Sequence, residues 1–247
     1  MNKKPKICII GFGRFGRLLA RILMPYADIF VISSREIADE NIQQIKYEDL
    51  GIIDITIPSV PISKLQETLK TINPFLKKGS LVMDVCSVKV YPCQWMMNIL
   101  RDDVEILGSH PMFGPDSAKT TTNGLQVVIC PLRISDLTLD NVCDIFRQLQ
   151  LKIINTSPED HDRQAAKSLS LVHFIGRALT GINIKKQEIS TLGFGRLLAV
   201  NETVENDTWE LFFDMHRYNP FSKEIRNQFI ESLQTLNSKL REDEDGL

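Results

Sequence analysis

Two patterns of apolar positions alternate along the first part of the chain. Short consecutive runs occur at Lys6 to Ile10, Ile29 to Ile32, Ile52 to Ile57, Leu81 to Val85, Glu105 to Leu107, Leu125 to Cys130 and Lys152 to Ile154. Between them apolar residues recur at helical spacing: Phe15, Leu18, Leu19, Ile22 and Leu23, then Leu65, Leu69 and Ile72, then Trp95, Met96, Ile99 and Leu100, then Leu139 to Leu149. A consecutive apolar run bounded by turn residues reads as a strand covered on both faces, and the i, i+3, i+4, i+7 pattern as an amphipathic helix. Strands alternating with helices predict an α/β fold with a doubly wound, mainly parallel sheet. Residues 37–50 are polar and mixed, and read as a helix or an irregular crossover.

The strand pattern stops near residue 156. Ser157-Pro158-Glu159-Asp160 places serine at an N-cap, proline at the first helical position and acids in the first turn, which is a helix start. The spacing predicts one long helix to about Thr180, closed by Gly181, with Ala165, Leu169, Val172, Gly176 and Leu179 as its apolar stripe. Leu192 to Asn201, Trp209 to Met215 and Lys223 to Leu240 read as further helices, and Arg241 to Leu247 as a frayed acidic tail. The expected organisation is a Rossmann-like dinucleotide-binding domain over 1–156 and a smaller all-helical domain over 157–247. So few helical residues bury little surface alone, and a homodimer through these helices is expected.

The first strand runs into Gly11-Phe12-Gly13-Arg14-Phe15-Gly16. A G-x-G-x-x-G turn between a strand and a helix, with a second strand within about 30 residues, is the context of a dinucleotide site. Glycine allows a tight turn and a close approach of pyrophosphate, and the helix N-terminus offers free N–H groups and a positive dipole end. The second strand ends Ser33-Ser34-Arg35, where NAD sites usually carry an acid. Two hydroxyls and a guanidinium suit a 2′-phosphate, so the expected cofactor is NADP, with NAD possible because Glu36 follows.

Composition narrows the classes. A net charge of -2 over 247 residues gives no electrostatic case for nucleic acid or a membrane surface. No apolar run approaches the ~20 residues that span a bilayer. The five cysteines form no C-x-x-C pair and read as reduced thiols of a cytoplasmic protein. A small-molecule substrate is the expected partner.

Two polar stretches carry candidate chemistry. Asp84-Val85-Cys86-Ser87-Val88-Lys89 follows one apolar run, and Ser109-His110-Pro111-Met112-Phe113-Gly114-Pro115-Asp116 follows another. If both leave the same edge of a parallel sheet, Ser87, Lys89 and His110 meet over one crevice, where open α/β sheets hold their ligands. His110, in what reads as a strand-exit loop, is the candidate general base. Ser87 either orients the reacting hydroxyl or caps the next helix. Lys89 either touches the cofactor or braces the loop. Asp116 either faces the substrate or caps a turn. His173 and Arg177 share a helix face and form a candidate carboxylate grip. His161, twelve positions before His173, falls about 120° away at 3.6 residues per turn and reads as first-turn structure; His216 reads as surface.

These stretches resemble the arogenate/prephenate dehydrogenase family over nearly the whole chain. The matching motifs are GFGRFG, Asp84-Val-x-Ser-Val-Lys89, His110-Pro-Met-Phe-Gly-Pro115, Glu159-Asp-His-Asp-Arg163, His173-x-x-Gly-Arg177, and Leu197 to Thr203 with Tyr218-Asn219-Pro220. The last two stretches are similar to the plant arogenate-type subgroup. The resemblance implies a Rossmann domain with a helical dimerisation domain, and NAD(P)-dependent oxidative decarboxylation of a cyclohexadienol in tyrosine biosynthesis. It also implies an acid at Asp116 in arogenate-preferring members. The chain departs from bacterial members in keeping one histidine, His173, of a Ser-His-Leu-Pro-His run. It also lacks their Arg-Asp-x-Thr-Arg segment, to which Arg196 lies nearest as the candidate carboxylate ligand. Two other readings remain: another NADP oxidoreductase of the β-hydroxyacid dehydrogenase or imine reductase type, and a non-catalytic nucleotide-sensing module.

Overall fold

The computed structural model describes residues 4–245, the side chain of Thr203 excepted. In order these form β1 (Lys6–Ile10), α1 (Arg14–Leu23), β2 (Asp28–Ile32), β3 (Gln43–Gln44), β4 (Ile55–Pro58), α2 (Ile62–Ile72), β5 (Leu81–Met83), α3 (Val90–Ile99), β6 (Glu105–Pro111), β7 (Gln126–Arg133), α4 (Asp136–Gln148) and β8 (Lys152–Asn155). The strands make one sheet in the order β3-β2-β1-β4-β5-β6-β7-β8. Every pairing is parallel except β6 with β7. This is the doubly wound α/β sheet that the alternation of strand and helix patterns predicts.

Side chains alternate across the sheet with period two. Ile7 and Ile9 join α1 residues Leu18, Leu19 and Leu23 and α4 residues Val142 and Phe146 in one buried cluster. Leu65, Leu69 and Ile72 of α2 and Met96 of α3 are fully buried outside that cluster, and the two helices pack together. All five cysteines are buried, and none is in a disulfide.

The strand bounds depart from the expected ones where neighbouring turns compete. Tyr47–Ile52 winds as a 3-10 helix, so Ile52 is half exposed and β4 starts at Ile55. Strand β6 runs through His110 and Pro111, because β7 returns against it and pairs His110 with Val128. His110 therefore lies in a strand, not in an exit loop.

The chain divides into two compact units, one running to His161 and the other from Asp162. That division lies five residues beyond the domain boundary read near 156, within helix α5 (Pro158–Ala165). The Ser157 hydroxyl accepts from the Asp160 amide at 3.1 Å and starts this helix as the cap pattern predicts. The single long helix does not form. Ala166–Ser170 winds as a π-helical turn before α6 (Leu171–Gly181), so positions before and after it cannot be related by 3.6 residues per turn.

In the second unit α7 (Leu192–Glu205) and α8 (Trp209–Arg217) are capped by the Thr191 and Thr208 hydroxyls. Helix α9 (Ser222–Glu244) continues through most of the stretch expected to fray; Gly246 and Leu247 lie outside the described residues. No described helix is long and apolar enough to cross a membrane.

Gly176 sets how closely α6 and α7 approach. A Cβ there would lie 2.7 Å from Val204 Cγ2 and 3.1 Å from the Val200 carbonyl oxygen. Helix propensity alone makes Gly→Ala favourable by about 1 kcal/mol. Overpacking against a β-branched side chain and a backbone oxygen costs about 1–3 kcal/mol. The Gly176→Ala protein is expected to be destabilised on balance, seen as a lower urea midpoint with unchanged slope; a rise in midpoint would mean that the helices part freely.

Candidate functional site

The floor of the site in the first unit is a charge pair with no access to water. Asp84, just beyond β5, and Lys89, just before α3, are both 0% exposed and joined by an ion pair. Lys89 also donates to the Ser109 carbonyl. Asp84 accepts from the Cys86 amide at 2.9 Å and the Ser109 amide at 3.0 Å. The Ser109 hydroxyl in turn donates to the Asp84 carbonyl. Burial pushes the Lys89 pKa down, but the Asp84 carboxylate outweighs it and leaves the ammonium above its ordinary range. These bonds tie the end of β5 to the end of β6. Of the two roles open to Lys89, the structure gives it the brace.

His110 follows Ser109 in β6. Its Nδ1 lies 2.9 Å from Nε2 of His161, and the rings meet edge to face. Both histidines are buried. Burial, then His161, then the Lys89 cation hold the His110 pKa well below the usual histidine range. The ring is therefore neutral near pH 7. With Nδ1 engaged by His161, Nε2 is the nitrogen left to accept a proton. His161, read from sequence as first-turn structure, is thus part of the site. Helical phase relates it only to His173, whereas its partner lies 51 residues upstream in another element.

The Ser87 hydroxyl oxygen is buried and has no hydrogen-bond partner among the described residues. Helix α3 carries no side-chain cap, so Ser87 does not serve the capping role. An unpartnered buried hydroxyl beside a sheet edge suits a ligand that supplies the missing bond.

The glycine loop fits a pyrophosphate. Gly11 has φ +97, and a Cβ there would stand 2.4 Å from the Ser59 carbonyl oxygen; one on Gly16 would stand 2.2 Å from the Gly11 carbonyl oxygen. These two glycines close the turn. Gly13 faces open space and is the N-cap of α1 without any side-chain cap bond, which suits the close approach of an anion to the helix end. Phe12 and Phe15 pack against the core. At the end of β2 the Ser33 hydroxyl accepts from the Arg35 amide, while the Gln44 side chain donates to the Ser33 and Arg35 carbonyls. Ser34 and Arg35 are exposed on this pinned turn. Arg14 Nη2 donates to both carboxylate oxygens of Asp116 at 2.9 Å.

In the second unit His173 and Arg177 meet at Asp207. His173 Nε2 lies 3.8 Å from the Asp207 carboxylate. Arg177 donates to the Asp207 carbonyl and lies over the Trp209 ring at 4.5 Å. Burial, against the pull of Asp207, keeps the His173 pKa below its ordinary value. His173 Nδ1, Arg177 Nε and His216 Nε2 are buried without hydrogen-bond partners among the described residues. His216 is not a surface residue: burial lowers its pKa to about 4, and Arg226 lies 3.3 Å from its Nδ1. Arg196 is exposed on α7, outside this cluster.

Comparison with known proteins matches a family model to each part of the chain. Residues 33–155 match the family model for the prephenate dehydrogenase nucleotide-binding domain. Residues 178–246 match the TYRAAT1-like C-terminal domain. The chain belongs to the prephenate and arogenate dehydrogenase family. Arogenate dehydrogenases 1 and 2 of Arabidopsis thaliana, both named chloroplastic, are each 29% identical over 95% of this chain. The chain spans 39% of the length of the first and 70% of the second. The T-protein of Haemophilus influenzae is 32% identical over 81% of this chain and 49% of its own length. Among solved structures, prephenate dehydrogenase from A. aeolicus, determined with hydroxyphenyl propionate and NAD+, has a TM-score of 0.77 at 20% identity, covering 99% of this chain and 94% of its own. Synechocystis arogenate dehydrogenase has a TM-score of 0.67 at 22% identity, covering 96% and 93%.

Within this member of the dehydrogenase family, the Asp84–Lys89 pair is the feature whose loss the fold should feel most. Lys89→Met leaves a carboxylate buried without its cation, which costs about 3–5 kcal/mol. Pairing it with Asp84→Asn removes the stranded charge, so the double variant should be more stable than Lys89→Met alone. Equilibrium unfolding of the two proteins checks this, and equal losses would mean that the pair acts through packing rather than charge.

Proposed function

We propose that the protein is a nicotinamide-dependent dehydrogenase that oxidatively decarboxylates arogenate to tyrosine, with prephenate, which gives 4-hydroxyphenylpyruvate, as the weaker substrate. The observation that carries the reading is the buried His110–His161 pair, in which His110 is held neutral, together with the buried, unpartnered hydroxyl of Ser87. It is supported by the family membership and by the names of the Arabidopsis relatives.

The reaction takes a hydride from C4 and carbon dioxide from the ring; the C4 hydroxyl proton leaves as C4 becomes a carbonyl and returns to that oxygen as the ring becomes a phenol. A bound nicotinamide supplies the hydride acceptor. Aromatisation drives the loss of carbon dioxide, so the protein chiefly positions and polarises. His110 Nε2 takes the hydroxyl proton. The donor at Nδ1 then faces His161 Nε2, which accepts it, so the imidazolium that forms keeps a hydrogen-bonded partner. Ser87 donates to or accepts from the same hydroxyl. Lys89 acts by bracing: its fixed positive charge opposes protonation of His110 in the resting site. His173 and Arg177, with the exposed Arg196 as a further candidate, are assigned to substrate carboxylates. Asp116 is assigned to the ammonium of arogenate, which prephenate replaces with a ketone.

For the cofactor we assign the glycine loop to the pyrophosphate, and Ser33, Ser34 and Arg35 to a 2′-phosphate, which favours NADP over NAD. A homodimer is the assembly that covers the apolar positions Leu233, Leu236 and Leu240 of α9, which are 49%, 55% and 62% exposed. They recur at three- and four-residue spacing, the pattern of a helix that packs against another.

The test is reduction of NADP and of NAD with arogenate and prephenate in parallel. Arogenate with NADP is expected to give the highest kcat/KM. His110→Asn should retain cofactor binding and lose about 10²–10⁴-fold in turnover; unchanged turnover removes His110 from the mechanism. Because the His110 pKa is depressed, the base stays unprotonated below the usual histidine value. The acid limb of kcat/KM should therefore lie below pH ~6.5. A limb above that value would mean that a different group limits the rate.

Arg35→Ala should weaken NADP by about 10–150-fold, the value of a charge-assisted hydrogen bond, with little change for NAD. Equal affinities for both cofactors before and after the substitution would remove Arg35 from cofactor selection.

A further inference from the structure

Arg14 occupies the first position of α1, whose first turn contains no acidic residue and whose N-cap, Gly13, supplies no side-chain bond. A cation at this end of a helix is repelled by the positive pole of the helix dipole. The position is comfortable when an anion lies beside it. The anion beside it is Asp116, 102 residues away in sequence, with both carboxylate oxygens 2.9 Å from Arg14 Nη2. The loop that carries Asp116 is also held on α1 by Arg21, which donates to the Ala118 and Lys119 carbonyls. Within that loop Ser117 closes a turn on Gly114. Asp116 is thus delivered to the mouth of the glycine loop by an anchored segment.

We propose that Asp116 is an intramolecular stand-in for pyrophosphate: it holds Arg14 until the cofactor's phosphates take that guanidinium, and its carboxylate then becomes available to the substrate's ammonium. The inference rests on the reading of the protein as an arogenate-preferring dehydrogenase and adds an order to it, cofactor before substrate. The Arg14 and Asp116 side chains are 45% and 61% exposed. An exposed pair of this kind is weak, and a multiply charged pyrophosphate at the same helix end displaces it. Coupling of this sort is reciprocal: the factor by which cofactor tightens the ammonium ligand is the factor by which that ligand tightens the cofactor.

The experiment titrates inorganic pyrophosphate and NADP+ into the wild-type chain, Asp116→Asn, Asp116→Ser and Arg14→Gln by calorimetry, without turnover. Removing the competing carboxylate should tighten both ligands about two- to fivefold in each Asp116 variant, while Arg14→Gln weakens them. A second arm titrates tyrosine and 3-(4-hydroxyphenyl)propionate, which lacks the ammonium, with and without saturating NADP+. Bound NADP+ should tighten tyrosine severalfold in the wild type, leave the propionate unchanged, and have no such effect in Arg14→Gln, where Asp116 is already released. Unchanged or weaker pyrophosphate and NADP+ binding in both Asp116 variants overturns the inference. So does equal tightening of tyrosine and the propionate. If the wild type binds NADP+ and oxidises arogenate, such a result leaves the proposed function standing; if it binds neither pyrophosphate nor NADP+, both fall.

Discussion

Two opposite charges sealed from water lie beneath the ends of β5 and β6, and much of the first unit is arranged around them. Taking a carboxylate and an ammonium out of water costs several kcal/mol for each ion, which their attraction repays only when geometry is good and their remaining bonding capacity is filled. Here the capacity is filled by the chain itself: the Cys86 and Ser109 amides on Asp84, and the Ser109 carbonyl on Lys89. The requirement therefore works in both directions. The charges need those backbone groups, and so fix the two segments from which Ser87 and His110 project.

The same floor shapes the acid–base chemistry above it. A histidine beside a buried cation and a second imidazole, with no solvent, has every reason to stay neutral. A carboxylate in the place of His161 would have favoured the imidazolium instead. A second imidazole orients the ring without adding the negative charge that would hold a proton on it, which suits a base that must be unprotonated when substrate arrives. The glycine loop follows a comparable logic in backbone terms: two of its glycines are spent on closing the turn, and the third leaves the helix end open.

Much of this was legible in the sequence. Consecutive apolar runs at Ile29 to Ile32 and Leu81 to Val85 carry their strands, and GFGRFG between a strand and a helix carries its loop, because these depend on local spacing. Ser157 and Pro158 announced a helix for the same reason. His161 was illegible as a site residue, because its partner is fixed by the fold of the intervening chain and not by helical phase. The π turn at Ala166–Ser170 has no composition that distinguishes it from an ordinary turn, so a single helix was the simplest reading. Strand β6 ran past its expected end because its antiparallel neighbour supplied partners that its own residues do not reveal. The brace made by Lys89 shows only once its burial is known, and the Arg14–Asp116 pair joins residues 102 positions apart that no local spacing relates.

The buried cysteines carry a consequence for chemical durability. Cys8, Cys86, Cys93, Cys130 and Cys143 are spread over β1, the turn after β5, α3, β7 and α4, all in the first unit. Burial raises the Cys8 pKa to about 12 and pushes Cys86 and Cys143 upward as well. At pH 7 the reactive thiolate of Cys8 is then roughly one part in 10⁵, and neither oxidants nor alkylating reagents have a path to it. Such thiols are silent while the sheet stays closed and react when it opens. The first unit thus contains its own clock: the rate at which a thiol reagent consumes these side chains reports how often the layers around the sheet separate, independently of any ligand or turnover.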